Sequence, residues 1–196
     1  MSDSPEVSVL IHELGGMLSS VQGFAHIAAS NPDHPDRERF IGLAASEARR
    51  AAQALKDLHL VRALDRGAIA VSPPPAELGA LLTAAAKEGS IADLPAHDDG
   101  LTVAVDFSKT AGPLGRCWAR AVAPVAVAVS DDHVVIDVPL APAADLARRA
   151  ASLEAPYPDM VLCSVLRRLL RLWGGDVAVA APGEWTVASL RLPRAR

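Results

Sequence analysis

The amino-acid sequence predicts an α+β protein: an N-terminal antiparallel helical hairpin followed by a small α/β sandwich. Three observations carry this. Residues 5–29 and 37–65 are two long stretches with apolar side chains at helical spacing, separated by the breaker SNPDHPD, Ser30–Asp36. The stiff run SPPP, Ser72–Pro75, then marks a linker. Beyond it, segments rich in β-branched residues interleave with short helical ones. The expected domains are therefore 1–70, a helical hairpin, and 76–196, an α+β unit.

Each element has a local reason. Ser4-Pro5 reads as an N-cap and first helical residue. The second helix runs from Arg37 to Asp65 and stops at Gly67. A seven-residue breaker between two long helices folds them back on each other. In the second part, residues 76–88, 113–122, 143–153 and 159–172 read as helices. Residues 101–107, 125–129 and 133–138 read as strands. Ser130-Asp131-Asp132 is a hairpin turn, and Gly174-Gly175 closes the last helix. DVAVAA and WTVASLRL then pair around Pro182-Gly183.

Composition narrows the function. Of 196 residues, 51% are hydrophobic and 21% charged, with a net charge of −4. That balance does not point to nucleic acid or to an anionic membrane as partner. The tail cations Arg191, Arg194 and Arg196 are too few to change it. Cys117 and Cys163 sit in apolar stretches without metal-ligand spacing, so they read as buried residues of a reduced, cytoplasmic protein. No apolar run reaches the ~18 residues of a membrane span. The acidic start MSDSPEV lacks the basic region of a secretory leader.

The first helix carries the chemistry. At 100° per residue, Val7, Leu10, Leu14, Met17, Leu18, Val21, Phe24, Ala25 and Ala28 form one apolar face. Leu14, Leu18, Val21, Ala25 and Ala28 step by 4, 3, 4 and 3, the seam of a bundle. His12 lies roughly 160° from the centre of that seam and is expected in solvent. Along its track follow Gly16, Ser19 and Gly23, all small. Glycine costs about 0.5–1 kcal/mol against alanine inside an exposed helix. The track reads either as tolerated drift or as clearance for another protein approaching His12. The second helix has its own stripe: Phe40, Leu43, Ala44, Ala51, Ala54, Leu55, Leu58 and Val61, with Glu47 inside it unexplained. One helical pair is a poor core, whereas two hairpins make a four-helix bundle, so a homodimer is expected.

The stretch IHELGGMLSSVQGFAHIA resembles the histidine-bearing helix of sensor histidine kinases. KDLHLVRALDRGAI resembles the end of their second bundle helix. PAELGALL resembles the entry to their ATP-binding domain, and VLRRLLRLWGGDVAVAAPGEWTVASLRLP its last helix, double glycine and closing hairpin. The resemblance covers nearly the whole chain in order. It implies that His12 is a phosphoacceptor and Glu13 the acid that orients the ring and acts as base. It makes residues 1–70 a dimerisation and phosphotransfer hairpin and 76–196 an ATPase-like domain.

The ATP motifs of that family are missing. The helix LGRCWARAV, Leu114–Val122, has no asparagine; Asn31, in the hairpin loop, is the chain's one asparagine. No glycine follows Asp137, and prolines stand in EAPYPDMVLCSV where a phosphate-cradling Gly-x-Gly is required. Only eleven residues precede His12, so no sensor is expected in this sequence. The sequence is therefore similar to dimeric histidine phosphotransferases with a degenerate ATPase-like domain. That resemblance implies phosphate relay between receiver-domain aspartates without ATP, with no cofactor held by the chain and Mg2+ on the receiver. Implied partners are response-regulator receivers and a histidine kinase. Gly16 stands where the family often carries Thr or Asn, which implies weak phosphatase activity. A non-catalytic adaptor or inhibitor that binds a kinase or response regulator remains the alternative, and an active kinase with a divergent site ranks third. His26, His34, His59, His97 and His133 lack a comparable setting and read as surface or loop residues.

Overall fold

The structure is a computed structural model, and it describes residues 5–142, 158–180 and 185–195. The chain divides into two compact units, Met1–Ala68 and Ile69–Arg196. No described helix is long and apolar enough to cross a membrane.

The first unit is a helical hairpin of α1 (Pro5–Ser30) and α2 (Arg37–Asp65). Its turn is held from inside. The Asp36 N–H donates to His34 Nδ1 at 3.0 Å, and the His34 ring tilts on Phe40. Arg37 Nε donates to the Ala28 carbonyl at 3.2 Å, and Phe24 stacks on Phe40 with centroids 6.4 Å apart. These contacts fix the antiparallel register. On α1, Val7, Leu10 and Ala28 are buried; on α2, Ala51, Ala54, Leu58 and Val61. Glu47 is half-buried on the inner face and ion-paired to Arg50 one turn on, at 2.7 Å. Gly67, at φ +63°, ends α2. Its N–H donates to Leu64 O and that of Ala68 to Ala63 O, which satisfies the carbonyls the helix end leaves open.

The second unit is α+β. Its four-stranded antiparallel sheet has the order β3 (Ala126–Val129), β4 (His133–Pro142), β6 (Trp185–Pro193), β5 (Asp176–Ala180). The short pair β1 (Ala76–Glu77) and β2 (Thr102–Val103) runs alongside, with Val103 bridging to Arg194. Alternation decides the faces. Val134, Ile136, Val138 and Leu140 of β4 and Ala188, Leu190 and Leu192 of β6 are buried. Packed with them are Leu78, Leu81, Leu82 and Ala85 of α3 (Leu78–Gly89), Leu114 of α4 (Phe107–Trp118) and Leu166, Leu169 and Leu170 of α5 (Pro158–Leu172). Cys117 and Cys163 are buried here and not joined in a disulfide, with Trp118 and Trp173 beside them in the core. Gly174, at φ +87°, and Gly175 close α5, the latter through its N–H to Leu170 O at 2.9 Å.

Three predicted boundaries are corrected. The segment 76–88 begins as β1, and the helix starts at Leu78. The strand predicted over 101–107 is two residues long, because Asp106 caps a helix: its carboxylate accepts from the Lys109 N–H at 3.2 Å. That helix, predicted over 113–122, therefore spans Phe107–Trp118 and carries Pro113 inside it. Proline is favoured at a first helical position, but here its buried ring is accommodated mid-helix. The helix expected at 143–153 and the turn at Pro182-Gly183 lie outside the described residues.

Two features of this unit set measurable expectations. A Cβ at Gly115 would overlap the Ala85 carbonyl oxygen, because α3 and α4 pack backbone to backbone. Gly115→Ala is expected to destabilise the second unit by about 1–3 kcal/mol in denaturant titration. On the other side, the Arg171 guanidinium hydrogen-bonds both carboxylate oxygens of Asp176, at 2.9 and 3.3 Å. That bond holds Asp176 below the ordinary carboxylate range. A depressed carboxylate contributes stability above its unfolded-state value and loses it as pH falls through its folded value. Arg171→Gln is expected to move the NMR titration midpoint of Asp176 upward. An unchanged midpoint would show that the pairing is not what depresses it.

Candidate functional site

The site is built on the first half of α1. His12 is exposed, and no hydrogen bond joins its ring to another described residue. Glu13 follows it but is half-buried, because successive helical residues diverge by 100°.

The track from His12 is low as well as small. A Cβ added at Gly15, Gly16 or Gly23 would meet nothing within 4 Å. Packing within the chain therefore does not require glycine at any of the three. Ser19 and Ser20 are turned in: their hydroxyls donate to the carbonyls of Gly15 and Gly16 at 3.0 and 3.1 Å. Neither hydroxyl projects beyond the helix. Such back-bonding to the i−4 carbonyl softens and bends helices. Gly42 on α2 was not singled out from sequence. The Phe24–Phe40 stack puts it at the height of Gly23, and a Cβ there also meets open space. Only the hairpin register, which a sequence does not print, could have revealed it.

The apolar arc of α1 is split in two. Leu10 and Ala28 are buried, whereas Ile11 and Leu18 are 46% and 49% exposed. On α2, Ile41 and Leu55 are 46% and 43% exposed. Both pairs lie roughly 100° round from the line on which α1 meets α2, and on the same side of the hairpin. The hairpin thus leaves these four apolar side chains open on one side, with Ile27 and Leu43, 41% and 36% exposed, on the other. His12 lies neither with those four nor on the contact line.

The other sequence-level features fall elsewhere. His26 Nε2 lies 3.4 Å from the Ser30 hydroxyl, and His59 is exposed. His97 is held by the Pro95 carbonyl at 2.9 Å. Asp137 sits mid-strand in β4, paired in register with Ala126 on one side and Ser189 on the other. A residue so placed has neighbours on both edges and is not in a loop. Among the described residues no three His, Cys, Asp or Glu side chains cluster as a metal site requires.

Comparison with solved structures places this arrangement. The Acinetobacter baumannii histidine kinase AdeS superposes with a TM-score of 0.62 at 12% identity, over 94% of this chain and 98% of that one. A bacterial phosphotransferase matches at 0.46 and 16% identity, over 97% and 98%. A histidine kinase from Burkholderia phymatum STM815 matches at 0.45 and 15%, over 95% and 98%. No protein-family model and no curated protein matches the sequence. The likeness to AdeS shows the fold: a helical hairpin followed by an α+β unit, as in that histidine kinase.

Proposed function

We propose that this chain is a histidine phosphotransfer protein of a two-component phosphorelay. His12 takes phosphate from the aspartate of one receiver domain and passes it to another, without ATP-dependent autophosphorylation. The observation that carries this reading is an exposed, unengaged His12 at the head of a glycine track that the chain's own packing does not need.

The chemistry balances. A neutral imidazole has one nitrogen with a free lone pair. That nitrogen attacks the phosphorus of the aspartyl phosphate. An N–P bond forms, the aspartyl O–P bond breaks, and the carboxylate leaves on the receiver. The proton on the other ring nitrogen passes to water or to Glu13. Return to a second aspartate reverses each step. Mg2+ in the receiver's acidic pocket neutralises the phosphoryl oxygens. Beyond the His12 nucleophile and the Glu13 carboxylate, the chain supplies position and access, which transfer through a loose transition state mostly needs.

In this reading residues 1–70 form the dimerisation and phosphotransfer hairpin, and 76–196 a degenerate ATPase-like domain in a cytoplasmic protein. The missing ATP motifs support the lack of a kinase step. So does the backbone around Asp137, which pairs in register with Ser189 within β4 and is followed by Pro139, at a break in register, and not by a glycine loop. The open apolar face of the hairpin supports a homodimer with a four-helix bundle. The partners are receiver domains and the kinase that feeds them.

The test is direct. The protein is incubated with phosphorylated receivers and the acid-labile phosphate is located by mass spectrometry. Phosphate on His12 is expected. Its absence across a broad receiver panel would move the reading to a non-catalytic adaptor. The glycines give a second test. Gly16→Ala and Gly23→Ala are each expected to stabilise the hairpin by about 0.5–1 kcal/mol. They are also expected to slow transfer at least about fivefold, since small misplacements of reacting groups are costly. Stabilised variants that transfer at the wild-type rate would contradict the clearance role.

A further inference from the structure

We propose that Trp173 is a latch that pins the segment after α2 to the second unit, so that the joint between the units is confined to the Ala68–Ile69 link. The segment Ile69–Pro75 contains SPPP and reads as the tether in the sequence. The structure fixes it at both ends. Ile69 is 7% exposed, and the indole Nε1–H of Trp173 donates to the Ala70 carbonyl at 2.8 Å. Trp173 is itself buried and stands immediately after α5, where Gly174 and Gly175 turn the chain. At the far end Ala76 is buried and paired with Val103 in the β1–β2 ladder. Between these anchors Val71 is exposed, and so are Ser72, Pro74 and Pro75.

The other side of the joint is equally closed. Gly67 and Ala68 donate their N–H groups to carbonyls in the last turn of α2. Free rotation is therefore left to about one residue. A tether of one or two residues spans about 7 Å at most, whereas the seven residues Ile69–Pro75, if released, span about 24 Å. The latch sets the reach between the units, and an indole is suited to it. A buried indole N–H requires an acceptor, and here the acceptor is a backbone carbonyl of the tether. This inference concerns the joint alone and holds whatever His12 does.

The test uses the full chain under native conditions. Elastase cleavage at Ala70–Val71 and amide hydrogen exchange over residues 69–72 are compared in wild type and Trp173→Phe. Loss of one buried hydrogen bond is expected to speed both roughly five- to tenfold. Amide exchange in β4 and β6 reports on the rest of the unit and is expected to stay unchanged. Ile69→Ala loosens the same segment from its own side, and it keeps the test decisive should Trp173→Phe lower the stability of the unit. Acceleration confined to 69–72 in either variant supports the latch. Wild-type rates in both variants, or a wild-type protein already cleaved there as fast as a flexible peptide, overturn it. Phosphate transfer is not a readout, so failure here leaves the relay reading intact.

Discussion

His12→Ala is expected to abolish acceptance of phosphate from any phospho-receiver, by at least about a thousandfold, since it removes the nucleophile proposed to take the phosphoryl group. The same change is expected to leave unfolding within about 0.5 kcal/mol of wild type, because His12 is exposed and forms no hydrogen bond to another described residue. His12→Gln separates the roles further. It keeps polarity and size but has no ring nitrogen, and is expected to behave as the alanine variant does. Radiolabel transfer and thermal melting, measured on the same preparations, check both halves. A variant that accepts phosphate at the wild-type rate would move the acceptor elsewhere on the chain.

The second large effect concerns self-association. Leu18→Asp with Leu55→Asp places charges on both rows of the open apolar face. Burying a leucine contributes about 1.5–3 kcal/mol, and each of these side chains is about half exposed in the single chain. Two substitutions appear twice in a dimer, and an unpaired buried carboxylate is costlier still. Dimerisation is expected to weaken by at least about a hundredfold. Sedimentation velocity is then expected to find the monomer mass for the variant and the dimer mass for the wild type. Val129→Asp in β3, exposed on the second unit, should leave the dimer unaffected. A monomeric wild type would refute the bundle, and the open face would need another occupant.

Much of this was legible in the sequence where single residues dictate the backbone. Both hairpin helices are bounded by Pro5, the Ser30–Asp36 breaker and Gly67, and the structure places them at Pro5–Ser30 and Arg37–Asp65. The strands β4, β5 and β6 were legible in the same way, since alternating Val, Ile and Leu fit a half-buried pleat. The start of α4 was hidden because LTVAVDF has strand propensity throughout. A capping Asp106 and burial of Thr110, Ala111 and Leu114 outweigh that propensity.

The site followed the same division. The exposure of His12 came from helical periodicity alone. How α1's apolar arc divides between α2 and the open face did not, because that depends on which residues of α2 lie opposite. The same is true of Glu47. A lone acid in an apolar stripe had no explanation until its ion pair with Arg50 was visible.

The central claim is that phosphate reaches His12 from a receiver aspartate and not from ATP. It is tested most directly by labelling wild-type protein twice, once with γ-labelled ATP alone and once with a labelled phospho-receiver. Label from the receiver only, acid-labile and lost in His12→Ala, is the expected result. Label from ATP alone would contradict the account, since it would require a nucleotide site on a chain that lacks the family's motifs for one.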